Sequence, residues 1–394
     1  MSEYVEGSAT AFVARAEAMV PALMEIGQEA DALRRLPDET VAALCDAGFM
    51  RMLQPKRYGG FAMNPLDFFD VQRVIARGCP STGWVLGVLG IHAWQLALFD
   101  SKAQDEVWQS DPDALISSSY APVGKVTVVE GGYRISGRWS FSSGSDHCGW
   151  AFLGGFVPTA EGTPPDMRTF LLPRSDYRVV DTWHVSGLKA TGSNDVIVED
   201  AFVPEHRTHR FRDGFLCDNP GNKVNPEAVY RLPFGQVFVR SVSTAAIGIA
   251  EGTLQCFCDN TRKRVSTADQ SKMDLDPTSQ HVAADAAMTI ANVKAVMRAD
   301  LTRMLDQTER GESIPIDERV RARYASSDAV DQCKRVVGDL FTNSGGRALF
   351  RGNPINRYFQ DIHAVRAHYA NNPAKPGRNL GRVLLGGKTT DFFI

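Results

Sequence analysis

The 394 residues are 43% hydrophobic and 23% charged, with a formal net charge of −3 and a sequence pI near 6.3. Such a chain folds into two or three packed units, and its balanced charge gives no electrostatic reason to expect nucleic acid or an anionic membrane as partner. The start, MSEYVEGSATAF, has no basic run before an apolar core, no stretch reaches the ~18 apolar residues of a membrane span, and the seven cysteines lack zinc spacing, so reduced thiols in a cytoplasm are expected.

Residues 1–115 read as an N-terminal α-helical domain. Residues 9–30 are rich in Ala, Met, Leu and Glu, and LPDETVAALCDAGFM follows, with Asp38 and Glu39 in its first turn and Val41, Leu44 and Cys45 on one face. QPKRYGG, 54–60, is a turn, and a helix over 65–77 turns Phe68, Phe69, Val71 and Ile75 inward. CPSTGWVLGVLGIHAWQLALFD, 79–100, is apolar on every side, which predicts burial on most sides. His92 lies within it. A lone histidine on such a helix is more often a packed core residue than a catalyst.

Residues 116–204 read as a β-barrel domain. Val126 to Glu130 runs into Gly131-Gly132, a hairpin signal, and YRISGRWSFSSGSDHCGW follows at 133–150. Tyr133, Ile135 and Trp139 alternate with polar residues as in a half-buried strand, Gly137 marks a bulge or a close backbone approach, and SSGSDH is either a hairpin corner or a binding loop. Strand and helix do not alternate, and GxGxxG after a strand, GxxxxGK[ST] and HExxH are absent, which argues against a nucleotide-binding α/β fold. Residues 205–394 read as a C-terminal helical bundle: an irregular stretch to 232, a helix of small residues from Val237, long helices over 280–311 and 317–343 ending in NSGG, and a last short helix over 361–371. The fold class is therefore α+β, with helices, then a barrel, then a bundle.

That order, with LRRLPDETVAAL, LQPKRYGG, ISSSYAP, SSGSDHCGW, GLKATGSNDVIVEDAFVP and RYFQDIHAVRAHYANNP, resembles the acyl-CoA dehydrogenase fold over almost the whole chain. Within that fold it looks most like the two-component flavin-dependent monooxygenases, among them those that hydroxylate the secosteroid phenol of bacterial steroid degradation. The resemblance implies reduced FMN or FADH2 and O2, a flavin C4a-hydroperoxide, and transfer of its distal oxygen to the carbon ortho to a phenol hydroxyl. It also implies a separate NAD(P)H:flavin reductase and a homotetramer.

Carried onto this sequence, the resemblance places Ser142 at the flavin N5, His368 or His92 as the base, and His92 with Ser119, Trp84 and Tyr369 around the phenol. It places Trp139, Phe141, Ser143 and Asn371 around the cofactor, with Arg264, Gly345 and Gly346 supplying donors for its phosphate, partly from a neighbouring subunit. Each has a plainer reading: Ser142 a turn serine, Trp139 and Phe141 core residues, Arg264 a solvated helix end, Gly345-Gly346 a helix cap. An acyl-CoA dehydrogenase or oxidase is the competing enzyme, weakened because AHYANN at 367–372 carries no carboxylate to remove an α-proton. A hydroxyphenylacetate-type phenol hydroxylase also fits the framework, as does a binding scaffold without chemistry.

Overall fold

The computed structural model describes residues 7–266 and 270–394, so the start of the MSEYVEG segment lies outside the described residues. Helices α1 (Ala9–Leu33), α2 (Asp38–Asp46), α3 (Pro65–Gly78), α4 (Pro80–Leu96) and α5 (Ser101–Trp108) come first. Asn64 accepts from the Leu66 amide and Pro65 occupies the first turn of α3, so both the cap and the missing N–H fit a helix start. Proline at 80 ends α3 by the same logic: Cys79 ahead of it is extended, and α4 begins at once in a new direction. Every residue of α4 except Ala93 is buried, as its unbroken apolar sequence demands.

Seven strands follow: β1 (Ile116–Val129), β2 (Gly132–Ser142), β3 (Trp150–Val157), β4 (Asp166–Pro173), β5 (Arg178–Val180), β6 (Asn194–Pro204) and β7 (Thr208–Arg210). Their order is β5-β6-β2-β1-β3-β4-β7, with β1 and β3 parallel and every other pair antiparallel. The β1–β2 hairpin closes at Val129 and Gly132, and the β2–β6 register slips between Ile135 and Gly137, a bulge at the glycine. Tyr133, Ile135 and Trp139 point inward with Leu153, Phe170 and Val196 into a core that belongs to the sheet alone.

The remainder is α6 (Phe211–Leu216), α7 (Phe234–Lys263), α8 (Pro277–Glu309), α9 (Ile316–Asn343), α10 (Pro354–Ala367) and α11 (Ala374–Leu384). Helix α7 is long and apolar enough to cross a membrane, yet 89% of its most apolar window is buried inside the protein. It lies between α3, α4, α9 and α10, so the first and last helical regions share one continuous core. Phe68, Phe69, Val237 and Val330 in that core are fully buried, each stabilising by roughly 1.5–3 kcal/mol.

Three expectations are corrected. The stretch 205–232 contains β7, α6 and three short 3-10 turns. The helix expected over 361–371 begins at Pro354, capped by Asn353, and stops at Ala367, because His368 turns extended. It is not the last: α11 follows, which the Pro and Gly in AKPGRNLGRVL had hidden.

Candidate functional site

Helix α4 and the β2 corner form the site. Trp84 and His92 are eight residues apart, just over two turns of helix and about 12 Å along its axis, and mark the two ends of the candidate site. At the corner Gly144 has φ +69°, and a Cβ there would lie 3.2 Å from Val85 and Leu89 of α4. Only glycine permits both the turn and that approach.

At the first end, a line of hydroxyls fixes the corner. Thr191 Oγ1 donates to Leu188 O at 2.9 Å, so Ser193 must donate to Thr191 (2.6 Å) and Ser143 to Ser193 (2.8 Å), while Trp84 Nε1 donates to Ser143 at 3.0 Å. Ser143's hydrogen is therefore committed to the protein. Ser142 next to it is fully buried, and its hydroxyl has no partner among the described residues. An orphaned hydroxyl costs about 1–3 kcal/mol, and a ligand atom would relieve that cost. Phe141 is strained, at φ +69°, and 72% exposed, its ring edge-on to Trp183 at 6.1 Å. Trp139, by contrast, is fully buried in the sheet's core and donates to Gly154 O at 2.9 Å.

His368 stands edge-on to Trp84 at 5.5 Å. Its Nδ1 accepts from the Ala370 amide at 3.2 Å, which in the neutral ring puts the hydrogen on Nε2. Burial, and after it the Arg323 guanidinium, push its pKa down to about 4. Asn371 is fully buried, with both amide hydrogens on Val242 O and Val365 O at 2.8 Å and its Oδ1 unpartnered among the described residues. Tyr369 is 69% exposed and takes a hydrogen bond from Lys375 at 3.1 Å, so it stands at a surface cleft.

At the second end His92 is fully buried, and its Nδ1 donates to Ile116 O at 2.5 Å. Its Nε2 therefore carries a lone pair, and no described residue meets it. Burial, partly offset by the Ile116 bond, lowers its pKa to about 4, so the ring is neutral at pH 7. Ser119 donates to Ser140 O at 2.7 Å, leaving its oxygen able only to accept. Tyr120, which sequence reasoning did not single out, lies 6.2 Å from His92 and edge-on to Phe238 at 5.0 Å and Phe234 at 6.3 Å. The Phe234 and Phe238 pair, four apart on one helix, was the available signal.

Arg264 and the glycine loop form a separate group. Arg264 follows α7 and donates to Ser344 O at 3.1 Å, its guanidinium lying against Gly345 just beyond α9. The structure brings these together with one another.

The acyl-CoA dehydrogenase N-terminal domain family matches residues 8–111 and the C-terminal domain family residues 241–373. The chain is 40% identical to the flavin-dependent monooxygenase oxygenase subunit HsaA of Rhodococcus jostii (strain RHA1), over 96% of this chain and 100% of that one. It is 32% identical to the oxygenase component of the FADH2-dependent resorcinol hydroxylase of Rhizobium sp. (strain MTP-10005), over 91% and 90%. The crystal structure of 3-HSA hydroxylase from Rhodococcus sp. RHA1 superposes with a TM-score of 0.93, at 40% identity, covering 96% of this chain and 98% of that one.

Proposed function

Because the chain belongs to the flavin-dependent monooxygenase oxygenase components of the acyl-CoA dehydrogenase fold, we propose that its slot binds a multi-ring phenol of the secosteroid type and hydroxylates it beside the hydroxyl. The observation that carries this reading is His92, whose buried Nε2 lone pair has no partner among the described residues and whose ring lies 6.2 Å from Tyr120 and 5.5 Å from Phe152. A phenol O–H is the complementary group.

Bound reduced flavin supplies the activated oxygen. The orphaned Ser142 hydroxyl would hold the flavin at its N5 edge, and exposed Phe141 would offer a ring to flank it. At the other end His92 Nε2 accepts the phenol O–H. With the imidazole near 4 and a phenol near 10, full transfer before reaction is uphill by ~8 kcal/mol, so the proton stays on oxygen at rest. It moves to Nε2 as the ring carbon is attacked and the hydroxyl becomes acidic. His368, a donor at Nε2, steadies negative charge near Trp84, while His92 takes the role of base. Ser119 adds an acceptor beside the phenol.

Reduced flavin comes from a separate reductase component, which we propose oxidises NAD(P)H. Seven cysteines without a disulfide suit the reducing cytoplasm. Leu349 and Phe350, just past the Arg264–Gly345 group, expose 68% and 71% of their surface, which supports a homotetramer in which that group completes the cofactor site of another copy.

The test supplies chemically reduced FMN or FAD, 18O2 and a secosteroid phenol to the purified chain and follows the product by mass spectrometry. A catechol carrying one 18O is expected. No catechol from any phenol, with flavin bleached anaerobically by an acyl-CoA thioester, would overturn the reading.

A further inference from the structure

The aromatic wall that starts at His92 and Tyr120 ends in the segment 391–394. Phe393 lies 5.6 Å from Phe238, 5.9 Å from Phe234 and 6.2 Å from Phe211, ring centre to ring centre. Phe393 also lines the cleft of about 150 Å³ on whose walls Arg323, Tyr369 and Lys375 stand. It is the residue common to the buried aromatic wall and the open cleft.

The segment is held in place by more than that ring. A Cβ on Gly235 would lie 2.7 Å from the Phe393 carbonyl carbon and 2.8 Å from the Ile394 amide, so the backbone lies directly on α7. Ile394 is fully buried. Asp391, 5% exposed, accepts from the Phe393 amide at 3.0 Å and lies 3.6 Å from Lys375, while Thr389 and Asn379 exchange hydrogen bonds at 3.0 and 3.2 Å. Phe392 next door is different: it is 75% exposed and meets Phe215 at 5.9 Å.

We propose that Phe393 is a specificity-determining residue whose ring ends the phenol slot and sets the length of substrate accepted. This rests on the reading of the slot as a phenol site. Removing the ring joins the slot to the cleft, and a phenol extended on the side away from its hydroxyl gains room that a one-ring phenol cannot use. Catechol formation is measured as kcat/KM for 4-methylphenol and for 4-phenylphenol. In Phe393→Ala the ratio favouring the longer phenol is expected to rise about tenfold, the scale on which a pocket distinguishes hydrocarbon bulk. Phe393→Leu should shift it less in the same direction, and serves if the alanine variant fails to fold. Phe392→Ala should leave the ratio at the wild-type value. A ratio unchanged in both Phe393 variants overturns the proposal.

If the wild-type chain hydroxylates neither phenol, the reading of the reaction fails separately, and Phe393 is judged by binding alone. Tryptophan-fluorescence titration without flavin then compares the two dissociation constants. A relative gain for 4-phenylphenol in Phe393→Ala supports the proposal, and equal constants in variant and wild type overturn it.

Discussion

Two buried, neutral histidines do opposite things because each has one ring nitrogen already engaged. His92 gives its Nδ1 hydrogen to Ile116 O and keeps a lone pair at Nε2, whereas His368 receives a backbone hydrogen at Nδ1 and keeps a hydrogen at Nε2. His92→Ala should lower catechol formation by about 10²- to 10⁴-fold, the range for a lost general base, while flavin-driven oxygen consumption continues and ends as peroxide. The wild-type rate should hold constant from pH 8 down to about 5 and fall as the pH drops through about 4, where His92 protonates and its acceptor is lost. Loss of rate already at about pH 6.5 would mean the base titrates like a solvated histidine. Ser142→Ala should keep the fold and raise peroxide release per catechol formed, measured by oxygen uptake against product.

At the scale of elements, the slot depends on how closely the β2 corner lies on α4. Gly144→Ala forces a left-handed conformation on a residue with a side chain and adds a methyl 3.2 Å from Val85 and Leu89. The backbone term alone is ~1–2 kcal/mol, so the denaturation midpoint should fall and reduced-flavin affinity with it. Trp84→Phe keeps a ring beside His368 but removes the donor to Ser143, and should cost about 1 kcal/mol. The loop that receives this hydroxyl line is tied in turn to α10, where Asp361 accepts from the Leu188 amide at 2.6 Å. One continuous set of hydrogen bonds thus relates the helix before His368 to the corner carrying Ser142.

Across the whole molecule, burial of neutral histidines links stability to acid. His209 is 3% exposed, donates to Asn219 at 2.8 Å, and burial holds its pKa down at about 4 against 6.5 in the unfolded chain. The unfolded state therefore binds a proton below pH 6.5 that the folded state refuses until about pH 4, and stability is lost as pH falls through that window. Asp361, raised to about 7 mainly by burial, works in the opposite sense over much of the same range, so the comparison of interest is between variants. Denaturant titrations at about pH 7 and pH 4 should show His209→Gln losing about 3 kcal/mol less than wild type on acidification. Sedimentation equilibrium should show a tetramer, and a monomer would remove the argument that Arg264 serves another copy.

The sequence alone determined the helix–sheet–helix order, the inward faces of α3 and β2, a break in the strand at Gly137 and the family, since each follows from local periodicity, turn chemistry or motifs read along the chain. Tertiary structure decided what separate segments share. Trp139 and Phe141 look alike in RWSFSS, yet β2 sends Trp139 into the core, while the register shift and left-handed backbone at its end leave Phe141 outside. Which histidine nitrogen is free depends on carbonyls and amides from elsewhere in the fold, Ile116 O for His92. Tyr120, Phe238 and Phe393 form one wall only because α7 carries residues from three distant stretches together. Periodicity reports which way a side chain faces, and only packing reports what it meets there.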